Sequence, residues 1–557
     1  MAVLFSALAD IMQPATFALM ALGVFGGLVV GAIPGFSATM AIVIILPLTY
    51  SLGAMPGLAV MIGVAVGGMS GGLVSAMLLG IPGTPGSVAT TFDGLPLVRR
   101  GEQGKALGLG VWSSCIGGVL SGCALIVFAP YLGRIGLEIG PWGYFTMVLF
   151  ALTITASLSS GMLLKGLIAA AAGLLAASVG EEEMNGVTRL TFGNRAIDSG
   201  FDFLPLMIGV FAFSQLLSDM PNTKVARRTL AGELPQNSPR IQHLWAIREL
   251  LKRWTTVVRS TVIGLIVGVI PATGASISNI LAYDQAKRNS KEPEQFGKGA
   301  YDGIIAPETA NNATQGGALL MLMALGIPGD AVAAVLLAAL VIHNVIPGPS
   351  FITDEPGLAY GIFVAFILSH LLMVVFQVIS LRFFLKVVSL PIYIMAAAVL
   401  FYCALGAYTV NNSMYDVWVM IAFGALGFFM TRFGYPIAPF VLGVVLGGIA
   451  EVNLIRALSI SSDYMLFVTR PWSLLFVGLM LLSVLMAIAA RHRISVRALA
   501  LLQLPLLLII CAALAQMSGV VRPVLSIVIL VGALFNIYKA FYRKDGAEDP
   551  KRGRCQN

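Results

Sequence analysis

Hydrophobic residues run in long unbroken blocks, and from Ile11 to Phe92 there is no Asp, Glu, Lys or Arg at all. One membrane passage needs about 20 consecutive apolar residues, so this opening stretch alone holds several. Barrel strands would alternate apolar and polar residues in short runs. Continuous blocks instead predict helices, which satisfy their own backbone N–H and C=O groups in lipid. The predicted fold is an all-α polytopic membrane protein. No Lys or Arg precedes Arg99, so the basic start of a signal peptide is missing and the first apolar segment is expected to stay in the mature protein.

The blocks are interrupted in a repeating way. GLVVGAIPGFSATM, from Gly27 to Met40, returns 237 residues later as GLIVGVIPATGASI, from Gly264 to Ile277. SGGLVSAMLLGIPGTPGS, from Ser70, is echoed by QGGALLMLMALGIPGDAV, from Gln315, with the GIPG displaced by 246 residues. The segments starting at Pro141 and Pro391 are more loosely alike. Two related halves are expected.

Loop charge gives their orientation, because Lys and Arg mark cytoplasmic loops. The link DQAKRNSKEPEQFGKG in the second half holds Lys287, Arg288, Lys291 and Lys298, whereas its counterpart TYSLGAMPG is uncharged. After GIPG the bias reverses, with LVRRGEQGK basic and GPSFITDEPG acidic. Equivalent loops are thus expected on opposite sides of the membrane, as in the inverted-topology repeats of secondary transporters.

Ser260 to Tyr283 is an apolar stretch with basic residues at both ends. A straight helix would put those ends on opposite sides. A break at Pro271 to Gly274 leaves arms of 11 and 9 residues, about 15 Å each and half the hydrocarbon thickness. This predicts a re-entrant hairpin. The GIPG segments, with flanks on opposite sides, predict spans broken in the middle. The organisation expected is a first transmembrane repeat over 1–180, a polar connector with one or more apolar segments over 181–255, and a second, inverted repeat over 256–430. Core C-terminal helices follow over 431–496, then an extra two-span extension over 497–545 and a basic tail over 546–557.

Composition agrees: 58% of the 557 residues are hydrophobic and 11% charged, with a mean hydropathy of +0.91. The net charge of +8 lies in loops and tails, which points to membrane topology and not to nucleic acid. Five cysteines have neither metal spacing nor a CxxC pair, so they read as small hydrophobes. No nucleophile elbow, phosphate loop or metal motif is present, and the chain is not read as an enzyme.

Proline removes a backbone donor and glycine frees φ, so each break leaves backbone polar groups without helical partners. Inside a bilayer such groups must face protein or a water-filled cavity, where a solute can bind. A helix restarting after a break presents free N–H groups and a positive dipole end, which favour anions. The candidate substrate-binding side chains there are Ser37, Thr39, Thr84, Ser87, Thr273, Ser276, Asn279, Asn311 and Asn312. This is chemistry for a carboxylate held by dipoles. Asp330, Glu308 and Asp93 are the candidate ion-coupling residues, since acids at membrane depth are candidate proton or sodium sites. Asp330 lies deepest by sequence and could equally cap the helix after it. Asp93 and Glu308 could equally be interfacial acids. His343 and His370 are lone imidazoles in apolar runs, read as packing.

Four stretches, GAIPGFSATMAIVIILPLT, LGIPGTPGSVATTFDGLPL, IPATGASISNILAYDQAK and APETANNATQGGALLMLMALGIPGD, resemble the large membrane subunit, TctA type, of the tripartite tricarboxylate transporters. The resemblance covers most of the chain to about Trp472. It implies uptake of an organic carboxylate through the bacterial inner membrane, driven by a sodium or proton gradient and without a cofactor. The partners it implies are a small membrane subunit of TctB type and a periplasmic solute-binding protein of TctC type. The motif positions carried over are Pro34, Gly35, Pro82, Gly83, Pro271, Gly274, Asn311, Asn312, Pro328 and Gly329. Asp330 stands where Ser-rich versions are common, and the spans after Arg497 extend beyond the family pattern, as candidates for part of the small subunit's role. An elevator-like core is expected by analogy with other carboxylate carriers. Alternatives are a stand-alone carboxylate symporter, a channel, or a membrane enzyme. The last would need a catalytic acid, histidine or cysteine cluster that the sequence does not offer.

Overall fold

The structure, a computed structural model, describes residues 2–33, 36–159, 162–182, 184–219, 240–271, 273–379, 383, 392–492, 495–517, 526–527 and 529–531. Eight helices among them are long and apolar enough to cross a membrane. The expected all-α polytopic membrane protein is what is found. Among the described residues the order other than α-helix is short 3-10 and π segments and one strand pair, Gly180–Glu181 against Thr188–Arg189.

The chain forms two compact units, one of residues 1–138 and 169–447 and one of residues 139–168 and 448–557. The first contains both pairs of broken segments. A first hairpin has arms Pro14–Ala32 and Ala38–Thr49, and a first broken helix runs Ala54–Leu79, turns at Pro85–Ser87 and resumes at Thr90–Arg99. A second hairpin has arms Trp254–Val269 and Gly274–Asn289, and a second broken helix runs Asp302–Leu325 and resumes at Ala331–Ile342. In the second unit, the helices Pro471–His492 and Val496–Gln516 pack through Trp472, Leu475, Leu479, Ile510 and Leu514, and the Arg470 guanidinium lies 4.0 Å over the Trp142 ring.

The arms of the second hairpin are 16 residues each, about 24 Å long and longer than their apolar parts. Helical hydrogen bonding does not stop where hydrophobicity does. The second arm continues through polar residues, where Arg288 pairs with Asp284 at 2.8 Å across one turn. Within the first arm Thr256 donates to Asp302 at 2.9 Å.

Ala54–Leu79 is buried from Gly57 to Leu79, and Asp302–Leu325 from Gly303 onward. Ala54–Leu79 is apolar or small on every side, as suits a core helix, whereas Asp302–Leu325 also buries the polar side chains of Glu308, Asn311, Asn312 and Gln315. Glycine lets each approach its hairpin backbone to backbone: a Cβ on Gly27 would collide with the Val64 carbonyl, and one on Gly264 with that of Ala310. The same contact recurs between Gly31 and Gly68 and between Gly268 and Thr314. Both central helices end in a left-handed glycine, Gly80 (φ 71, ψ 15) and Gly326 (φ 74, ψ 11), the helix-ending conformation that suits a residue without Cβ. The first arms of both hairpins end alike, at Ile33 (φ −81, ψ 117) and Ile270 (φ −82, ψ 120).

The link after each hairpin meets the end of the other broken helix. The basic link of the second hairpin packs on the end of the first broken helix, with Gly299 against Leu97 and Arg100. The uncharged link of the first hairpin meets the end of the second broken helix, where Thr49 Oγ1 is 3.3 Å from His343 Nε2. The connector's central part and the basic tail lie outside the described residues.

Candidate functional site

The turn Pro85–Ser87, reached through Gly80 and Gly83, is the meeting point of the two halves. Thr84 Oγ1 and Ser87 Oγ share a hydrogen bond of 3.1 Å. From the second hairpin, Asn279 Nδ2 donates to the Pro85 carbonyl at 3.1 Å. From the second broken helix, the Asn311 amide oxygen occupies the space a Cβ on Gly86 would need. Asn279, Asn311, Thr84 and Ser87 are all buried. Asn279 Oδ1 and both Asn311 amide atoms lack a hydrogen-bond partner of ordinary geometry. Unpaired polar groups in the interior are costly.

Asn312, the next residue, meets a different neighbour. Its Oδ1 accepts from Ser70 Oγ at 2.8 Å, and its Nδ2 donates to the Glu308 carbonyl at 3.1 Å. Below Asp330 lies a cavity of about 10 Å³, room for roughly one water, walled by Ile62, Gln315, Leu319 and Phe366. Gln315 Nε2 donates to the Ala65 carbonyl at 3.3 Å, while its Oε1 is unpaired.

Other predicted site residues have local tasks. Ser37 caps its helix by accepting from the Met40 N–H at 3.1 Å, and Thr39 is buried in the first turn after it. Thr273 Oγ1 donates back to the carbonyls of Val267 and Ile270, beside buried Pro271. Gly274 (φ 62) lies against Asp330. Gly83 sits on the Gly31 carbonyl and Gly329 on that of Gly268, next to Pro82 and buried Pro328. Ser276 faces outward, because the buried side of its helix is Ala275, Ser278, Asn279 and Ala282. Pro34 and Gly35 lie outside the described residues.

The three acids are placed very differently. Asp93 is fully buried; its Oδ1 accepts from the N–H groups of Gly297, Gly299 and Ala300 at 2.7–2.8 Å, and its Oδ2 from the Tyr283 hydroxyl at 2.9 Å. It staples the basic link to the first broken helix. Asp330 caps the restarted helix, accepting from the Ala333 N–H at 2.8 Å. Glu308 is fully buried between Thr90 Oγ1 at 2.6 Å and Ser114 Oγ at 2.8 Å. Among the described residues no group of three or more His, Cys, Asp or Glu could hold a metal ion.

Beyond Asp93 an open recess of about 780 Å³ is lined by Arg100, Lys252, Arg253, Lys291, Tyr301 and Asp302. Arg253 ties it together through Glu249 at 2.9 Å and Asp302 at 3.0 Å. Ser70, Ser114 and Gln377, which donates to the Ser70 carbonyl at 2.9 Å, join this polar interior without a motif to announce them. Gln377 alone gives a sequence signal, as an amide inside the apolar run MVVFQVI.

The broken segments carrying these side chains fall within residues 17–442, which match the tripartite tricarboxylate transporter TctA family. The chain belongs to that family. A TctA-family chain is a tricarboxylate transporter component, and membership implies a non-enzyme with partner subunits. It is 33% identical over 461 residues to an uncharacterized 52.8 kDa protein of the TAR-I ttuC' 3' region of Agrobacterium vitis, covering 82% of this chain and 90% of that one. A second Agrobacterium vitis protein, of the TAR-II ttuC' 3' region, is 35% identical over 226 residues, covering 40% of this chain and 93% of its own. No solved structure matches.

Proposed function

We propose that the chain is the large permease subunit of a tripartite secondary transporter, importing a di- or tricarboxylate through the bacterial inner membrane. A periplasmic binding protein of TctC type delivers the solute, a small TctB-type subunit assists, and a sodium or proton gradient drives uptake. The observation that carries this reading is the convergence of Thr84, Ser87, Asn279 and Asn311 from both halves on the Pro85–Ser87 turn, with the buried Asn279 amide oxygen left unpaired. Neutral amides and hydroxyls there suit the oxygens of a carboxylate. The arrangement as inverted repeats is supported by the matched glycine contacts and helix ends, and by the meeting of basic link with basic loop. Broken helices meeting in a core are how such repeats build a solute site. Movement of that core in the manner of an elevator would carry the solute across.

Uptake of labelled citrate and smaller dicarboxylates into cells lacking their own carriers tests the proposal. The chain is expressed alone, with candidate small subunits, and with candidate binding proteins. Saturable, gradient-driven uptake only in the complete set is expected. Equal uptake by the chain alone would identify a stand-alone symporter, and no uptake in any combination would overturn the reading.

A further inference from the structure

Glu308 differs from the other two buried acids in what surrounds it. Asp93 meets four donors, three of them backbone N–H groups that can only donate. Asp330 is committed to a helix end. Glu308 is met by the hydroxyls of Thr90 and Ser114, one on each carboxyl oxygen, with the Asn311 amide alongside. A hydroxyl can donate or accept, so both the acid and its anion can be hydrogen-bonded in this setting.

No positive charge is among these partners. On the Thr90 helix the next titratable group is Asp93, held by loop amides. Beside Ser114 comes buried Cys115, and one turn further Gly118 is covered by His370, whose Nδ1 is engaged with the Phe366 carbonyl at 2.9 Å. On the helix of Glu308 itself, Asp302 is paired with Arg253. A fixed anion here would be a buried charge without a counter-charge, far costlier than a neutral acid. Spare capacity lies close by: the buried hydroxyls of Ser113, next to Ser114, and of Thr309, next to Glu308, have no hydrogen-bond partner.

From this geometry we infer that Glu308 holds an exchangeable proton and is the carboxyl through which a proton gradient is coupled to the site at Asn279 and Asn311. The inference rests on the transporter reading above. The proton is taken up from water on one side of the membrane and released to water on the other, with the hydroxyls of Thr90 and Ser114 stabilising each form in turn. Glu308 touches no solute in this arrangement and acts through Asn311 beside it.

The purified protein, reconstituted with its partners, allows two readouts. In infrared spectra the wild type is expected to show a protonated-carboxyl band that titrates and is lost in Glu308→Gln. In vesicles, one pH unit supports up to about tenfold accumulation per proton carried. Glu308→Gln should lose that accumulation yet keep solute counterflow, and Glu308→Asp should restore accumulation in part. An infrared band unchanged by Glu308→Gln, or accumulation that still follows the pH gradient, would overturn the inference. Accumulation driven by sodium alone at constant pH would overturn it too. Wild-type vesicles that move no carboxylate would remove the transport reading itself, while the infrared band still decides whether Glu308 exchanges a proton.

Discussion

Gly329 rests directly on the carbonyl oxygen of Gly268, leaving no space for a Cβ between the second broken helix and the second hairpin. Gly83 makes the same contact with Gly31 in the other half, where a Cβ would stand 2.5 Å from the oxygen. Both obstacles are backbone atoms, which cannot turn aside as a side chain can.

Gly329→Ala and Gly83→Ala should therefore each destabilise the protein by about 1–3 kcal/mol through overpacking. Gly448→Ala is the control, because a Cβ there meets nothing within 4 Å. It should be neutral or stabilising by up to about 1 kcal/mol, since alanine is the better helix former. Thermal unfolding of the purified proteins measures all three, and equal effects would contradict the contact geometry.

Asp93→Asn should loosen the link from Ser290 to Tyr301. The charge on Asp93 strengthens the three backbone hydrogen bonds from Gly297, Gly299 and Ala300, and hydrogen bonds to charged groups are worth about 1.5–3 kcal/mol each. Amide hydrogen exchange at those three residues should accelerate at least about tenfold, which corresponds to 1.4 kcal/mol of local stability. Tyr283→Phe removes one neutral donor and should have the smaller effect.

Asn279→Ala and Asn311→Ala should weaken solute binding while leaving the helices in place. Losing one hydrogen bond to a bound anion costs about 1.5–3 kcal/mol, or roughly tenfold to 150-fold in affinity. Calorimetry or the KM of uptake reads this directly. Ser276→Ala, on the exposed side of the same helix, should change neither.

Arg253→Gln should alter stability by no more than about 1 kcal/mol, although it breaks contacts to both Glu249 and Asp302. The Arg253 side chain is 33% exposed, and solvent-screened ion pairs contribute little. A chemical-denaturation series at low and high salt checks the size and the sign of the effect.

Helices and their interruptions were legible in the sequence because proline, glycine and long apolar runs act locally. Breaks read at the two IPG/IPA motifs and the two GIPG motifs coincide with helix ends at Ala32, Val269, Leu79 and Leu325. The Pro85–Ser87 turn and the Gly180–Arg189 strand pair were not foreseen. They are short, and a two-residue strand has no periodicity to read. The hairpin arms were read too short, since polar residues prolong a helix as readily as apolar ones.

Sequence alone thus determined that this is a helical membrane protein with paired breaks, and which small polar residues stand beside them. Only the tertiary structure decided what those residues do. Asp93 finds its donors 190–207 positions away, Glu308 meets Thr90 across 218, and Asn279 reaches Pro85 across 194. A buried polar group is defined by the partners that satisfy it, and partners so distant in the chain leave no local pattern.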